Sequence, residues 1–205
     1  MSPAASAAPA RRGRPSTGAK ERILAAAIET MKDEGYAGLT VAEVAARACE
    51  SKALLVYHYR SKAGLVEAVG GELGEMVTER VLAEIGGART VEQVTRGIAI
   101  SIEGIADEDP RVPRLYFDLA AVSVVDPEVR ETLARVNDRW RQVVTELLIE
   151  AEDGPAPERA PAITVLIRAG VQGLALERIE TGPAPELQAA RELFVRSVGI
   201  AVAEG

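Results

Sequence analysis

The sequence has few aromatics, one cysteine and one histidine, and each shortage narrows what the protein can be. Phe, Trp and Tyr make up 3% of its 205 residues, so small and branched aliphatics must fill any core. The single cysteine, Cys49, rules out an internal disulfide framework and makes a reducing cytoplasm the expected setting. It has no second cysteine and no neighbouring histidine as a metal partner, and nothing resembling a catalytic triad surrounds His58. The expectation is therefore no metal, no cofactor and no enzyme. No run of about 18 apolar residues is present to span a bilayer. No Lys or Arg precedes Arg11 and no extended apolar stretch follows it, so neither a secretory signal nor a membrane partner is expected.

What is present is aliphatic and helical in pattern. Hydrophobic residues account for 47% of the chain, alanine is abundant, and prolines fall mostly between apolar-periodic segments, which favours packed helices over sheets. Charge is divided along the chain. Residues 1–62 hold ten Lys/Arg against six Asp/Glu, a net of +4, which leaves 14 against 25 in residues 63–205, a net of −11. A basic front on an acidic body implies two jobs, with the front suited to a polyanion.

The first 18 residues, MSPAASAAPARRGRPSTG, lack a packing pattern and are expected to form a disordered basic arm. A first helix runs from about Ala19 to Glu34, with Ile23, Leu24, Ala27, Ile28 and Met31 on one face and Gly35 as its stop. Thr40 and Glu43 stand at the spacing of a capping box for a short second helix that buries Val41, Val44 and Ala45. After a turn through Cys49-Glu50-Ser51, Ser51 can cap a third helix over about Lys52–Tyr59. Ser61 can cap a long fourth helix from Lys62 toward Ile85. Two short helices joined by so tight a turn, covered by the first, make a helix-turn-helix. Further helices are expected over residues 90–107, 112–124, 127–152, 158–181 and 185–203, with Asp126-Pro127 a cap followed by proline at the first helical position. The fold class is all-α, with about nine helices in all. The domains are an arm over 1–18, a helix-turn-helix head over 19–65 and a helical body over 66–205.

The residues ERILAAAIETMKDEGYAGLTVAEVAARA, then SKALL, then HYRSKAGLVEAV, resemble the DNA-binding domain of TetR-family transcriptional regulators. DPEVRETLARVNDRWRQVVTELLIEA is similar to the corresponding stretch of BetI-like members. The resemblance implies a DNA-binding head and an effector-binding, dimerising helical body. Two departures stand out: Val56 occupies the usual tyrosine position with Tyr57 one place later, and Glu50 stands where an apolar residue is normal, after Cys49 where glycine is common.

A recognition helix presents its N-terminal residues to base edges, here Lys52, Ala53 and Leu54 behind Ser51. Leu54 is equally suited to the core. Tyr57, His58 and Lys62 are expected on phosphates, with Thr40 doing the same from the second helix. Arg11, Arg12 and Arg14 are suited either to a flanking minor groove or to a solubilising tail. The partners implied are a double-stranded, palindromic DNA operator and a second copy of the chain, since one head reads too few base pairs alone. The interface is expected on the last two helices, along Ile163, Ile167, Gly170, Val171 and Leu174 and along Leu187, Phe194 and Val198. A small, mostly apolar effector is expected near Tyr116, Phe117 and Trp140. The expected role is a ligand-responsive regulator, a repressor, with a helical binding protein whose head grips DNA weakly as the alternative.

Overall fold

The computed structural model describes residues 18–204, which form nine helices and no strand. They are α1 Ala19–Gly38, α2 Val41–Arg47, α3 Lys52–Tyr59, α4 Lys62–Glu84, α5 Val91–Glu108, α6 Arg111–Ser123, α7 Pro127–Glu150, α8 Ala160–Thr181 and α9 Pro185–Ala203. Most starts are set by side chains that take up N–H groups the first turn leaves unpaired. The Oγ atoms of Thr40, Ser51 and Ser61 accept from the N–H groups of Glu43, Leu54 and Gly64 at 3.1, 3.1 and 3.2 Å. Thr90 and Gln93 form a reciprocal capping box at the head of α5. Asp126 caps α7 through the N–H groups of Glu128 and Val129, ahead of Pro127 at the first helical position.

The end of α1 is less regular. Gly35 leaves the helix with φ 70° and ψ −173°, and the chain then completes one more turn to Gly38. That backbone region is open essentially to glycine alone, and a Cβ at this position would lie 2.9 Å from Asp118 Oδ2. The kink releases the N–H of Tyr36 from the helix, and it donates to that same carboxylate oxygen on α6 at 2.5 Å. In the turn between α2 and α3, Cys49 holds φ 53°, the left-handed conformation that accounts for glycine being common there.

Two apolar clusters hold the helices together. The first joins Ile23, Ala27 and Met31 of α1, Val44 of α2, Leu55 of α3 and Leu65, Val66 and Val69 of α4 to Leu115 and Leu119 of α6 and Val129 and Leu133 of α7. The second gathers Val81 and Ile85 with Val94 and Ile98 of α5, Val144 and Leu148 of α7, Ile163 and Ile167 of α8 and Val198 of α9. Each fully buried Leu or Ile contributes roughly 1.5–3 kcal/mol relative to exposure. α4 has residues in both clusters. Charges also fasten α1 to α6: Arg111 pairs with Asp33 at 2.7 Å and with Asp109 at 2.9 Å, and Lys32 reaches Asp109 at 3.2 Å. The Arg111 guanidinium holds the Asp109 carboxyl far below the usual carboxylate range.

Opposite effects are expected at Gly35 and Cys49, both at positive φ. Gly35→Ala should lower stability by about 1–3 kcal/mol. Cys49→Gly should raise it by about 0.5–1 kcal/mol, because the strain relieved exceeds the entropy added to the unfolded chain. Urea unfolding at neutral pH measures both, and a neutral Gly35→Ala would show that the kink does not need glycine.

Candidate functional site

The outer face of the head is built by α3. Ser51, Lys52 and Ala53 are exposed, as is Thr40 at the start of α2. Leu55 is fully buried, and Leu54 is half-buried and packs against the first apolar cluster. Val56 and Tyr57 are 46% and 72% exposed, so Tyr57 carries an exposed hydroxyl at the position next to the one where Val56 has none. His58 stands edge-on to Tyr57, ring centres 5.1 Å apart, with its Nε2 buried and without a hydrogen-bond partner among the described residues. Tyr59 turns inward and donates to the Lys20 carbonyl at 2.7 Å. Arg11, Arg12 and Arg14 lie outside the described residues.

Glu50 and Lys62 each find a partner on α1. Glu50 does not intrude on the core: its carboxylate, 14% exposed, accepts from Nε of Arg22 on α1 at 3.1 Å. The apolar contact usual at that position is replaced by an ion pair across the head. Lys62, expected on the phosphate-facing surface, is half-buried and donates to the Tyr36 carbonyl at 2.6 Å. Its ammonium also lies 3.8 Å from the centre of the Tyr36 ring. Burial pulls its pKa below the ordinary lysine value, against the opposing charges of Asp126 and Asp118. The reason is the Gly35 kink, which turns the Tyr36 carbonyl and ring toward the first turn of α4. The Tyr36 hydroxyl in turn donates to Asp126 Oδ2 at 3.1 Å. Lys62, Tyr36, Asp118 and Asp126 thus tie the starts of α4 and α7 and the middle of α6 to the end of α1.

Below this junction, α4, α5, α6, α7 and α8 enclose a cavity of about 140 Å³. Tyr116 and Phe117 of α6 and Trp140 of α7 all line it, and the first two meet edge-to-face with centres 5.6 Å apart. α4 contributes Gly70, Leu73, Gly74 and Val77 to the wall. Sequence reasoning did not single out the polar side chains that α8 adds. The Tyr116 hydroxyl accepts from Arg168 at 3.0 Å and from Gln172 Nε2 at 2.6 Å. A lone charge inside the apolar run of α8 was the available signal.

The expected interface stripes of α8 and α9 require correction. Ile163, Ile167, Val171 and Val198 belong to the buried core of the protomer itself. Gly170 is the seat of Phe194, whose ring would lie 2.1 Å from a Cβ there. Leu174 and Leu187 are half-buried. The apolar side chains left exposed are Val165, Leu166 and Leu176 on α8 and Leu193 and Ile200 on α9. α8 is apolar nearly all round, so its periodicity does not distinguish an inner face from an outer one.

A small capped head and a cavity-bearing helical bundle define a helix-turn-helix regulator architecture. The family model for bacterial regulatory proteins of the tetR family matches residues 23–69, and that for the BetI-type transcriptional repressor C-terminal region matches residues 105–200. Over 186 residues the chain is 28% identical to the HTH-type transcriptional regulator CymR of Pseudomonas putida, covering 85% of this chain and 90% of that protein. Over 128 residues it is 30% identical to the HTH-type transcriptional regulator BetI 1 of Chromohalobacter salexigens, covering 59% of this chain and 60% of that one. A transcriptional regulator from Rhodococcus sp. Rha1 shares the fold with a TM-score of 0.68 at 21% identity, over 87% of this chain and 95% of that one. The chain belongs to the TetR family of transcriptional regulators. Among the described residues no helix is long and apolar enough to cross a membrane.

The junction should respond to acid. Asp126 is held below its ordinary pKa, foremost by the Val129 N–H and further by the Tyr36 hydroxyl, the Glu128 N–H and the charge of Lys62, which together outweigh its burial. Its stabilising effect is present above the unfolded carboxyl value of about 3.9 and is lost as pH falls through the lower folded value. The stability difference between wild type and Asp126→Ala should therefore hold from about pH 7 to about pH 5 and narrow from there down to about pH 3. Urea unfolding across that range checks it; a constant difference would mean that the cap acts without its charge.

Proposed function

We propose that the chain is a cytoplasmic repressor that binds a palindromic operator as a homodimer and responds to a small, mostly apolar ligand held in its body. The observation that carries this reading is the path of α4. It begins at Lys62, directly after α3, and lines the cavity farther along through Gly70, Leu73, Gly74 and Val77. α6 supplies a second connection, with Tyr116 on the cavity, Asp118 on Tyr36, and Leu115 and Leu119 in the cluster beneath α3. A ligand that favours one arrangement of α4 and α6 changes the population of head positions by its difference in affinity for the two.

In this reading Lys52 and Ala53 face base edges, with Ser51, Thr40 and Tyr57 on phosphates; Leu54 is mainly packing. Residues 19–65 act as the reading head and 66–205 as the sensing and dimerising body, with Arg11, Arg12 and Arg14 as an accessory arm. The dimer forms through the exposed apolar row of Val165, Leu166, Leu176, Leu193 and Ile200, continued by Leu187 and Leu174 at its edge. The competing reading, a helical ligand-binding protein with a weakened head, draws on Val56 and on the inward turn of Lys62.

Fluorescence anisotropy on duplexes from the promoter beside its own gene separates the two. Lys52→Ala should relax base preference by about 1–3 kcal/mol at particular positions. Tyr57→Phe should weaken every duplex alike, by about 0.5–1.5 kcal/mol. Binding only at very low salt and without base preference favours the weakened head. For the interface, Leu166→Glu combined with Leu193→Glu should give monomers by sedimentation and abolish tight operator binding. A dimer that survives both substitutions sinks this assignment.

A further inference from the structure

The cavity wall is apolar apart from Asn137 of α7 and the corner where Arg168, Gln172 and Tyr116 meet, and donors at that corner lack an acceptor among the described residues. The Tyr116 oxygen already accepts from Arg168 and from Gln172, which leaves its own O–H proton free to donate. Arg168 Nε is buried and has no hydrogen-bond partner among the described residues. Other arginines at the α5, α8 and α9 contacts are neutralised: Arg178 pairs with Asp107, Arg191 with Glu103, and Arg96 with Glu192. Among the described residues Arg168 has no such carboxylate, and its hydrogen bond goes to the Tyr116 hydroxyl. A cation in an apolar wall is unfavourable unless a counter-charge and acceptors are brought to it.

We propose that the effector is a monocarboxylate with a compact apolar body, its carboxylate received by Arg168 and Tyr116. This deepens the reading of the cavity as the effector site and rests on it. The chemistry selects a planar oxyanion, because Nε–H and a neighbouring Nη–H of a guanidinium lie side by side and match the two oxygens of a carboxylate. The Tyr116 O–H supplies a third donor to the same group. The size of the body follows from the space. A cavity of about 140 Å³ is close to one of about 150 Å³ that holds benzene, so a single ring or a short alkyl chain fills it. Leu73, Val77, Leu133 and Trp140 surround that part. Tyr116 lies on α6 two residues before Asp118, the partner of the Tyr36 N–H, so the occupant's charge is received next to the junction of head and body.

The test is calorimetric titration of the full-length protein with two matched probe sets: hexanoate, hexanol and hexylammonium, and phenylacetate, phenylethanol and phenethylammonium. The acids should bind roughly tenfold to a hundredfold more tightly than their alcohols, with the amines weakest. In Arg168→Gln that preference should disappear while the alcohols keep their affinity. Arg168→Lys, which keeps the charge but not the fork, should retain part of it, and Tyr116→Phe should reduce it by several-fold. The Lys and Phe variants carry the test if Arg168→Gln does not fold by circular dichroism. Alcohols that bind as well as acids to wild type would overturn the carboxylate assignment and leave the cavity reading standing. No binding by any member of either set would overturn the cavity reading and the assignment together.

Discussion

The architecture depends on burying the two ends of α4 in different places. Leu65, Val66 and Val69 complete the cluster under the head, and Val81 and Ile85 complete the cluster of the body. Neither end can leave its cluster without exposing fully buried aliphatic surface. Between them the helix is thinned by Gly70 and Gly74 on the side that meets α7, where a Cβ on Gly74 would lie 2.7 Å from Val136. The helix that links head and body is thus anchored at both ends and closely approached in the middle. Packed interiors of this kind move between discrete arrangements rather than deforming smoothly.

Polar groups then fix the angle at which the head meets the body. Asp118 accepts from the backbone of α1, Asp126 accepts from Tyr36 and from the first turn of α7, and Lys62 donates back to the Tyr36 carbonyl. Every partner is contributed by a different element, so the network exists only when α1, α4, α6 and α7 are all in place. The pair of Arg111 with Asp33 adds a second, more exposed attachment between α1 and α6. Exposed pairs of this type contribute little singly; the half-buried Tyr36 group is the more specific of the two.

How much of this was legible in the sequence depended on how local the cause was. Helix starts at Thr40, Ser51, Ser61 and Asp126 could be read because cap and recipient are at most three residues apart. Helix-turn-helix, all-α class and family followed from such signals in order. The placing of Tyr116, Phe117 and Trp140 in the cavity-bearing part of the body followed from the family resemblance rather than from their spacing. The position of Lys62 was not, because its direction is set by a carbonyl that Gly35 reorients 26 residues earlier in the chain. Glu50 was unreadable for the same reason, its partner Arg22 lying 28 residues away on another helix. On α8 the outward residues Val165 and Leu166 are as apolar as the inward Ile163 and Ile167, so only the packed structure separates them.

The kink at Gly35 has a consequence for how the molecule opens. By giving the Tyr36 N–H to Asp118 it makes the head borrow part of its core, Leu115, Leu119, Val129 and Leu133, from helices that also wall the cavity or lie beside it. A head sharing its interior in this way does not open as an independent foldon; its slowest amides exchange with solvent only when α6 and α7 also come loose. A ligand held in the cavity would, by fixing those two helices, extend amide protection by mass action to α1 and α3, helices it need not touch.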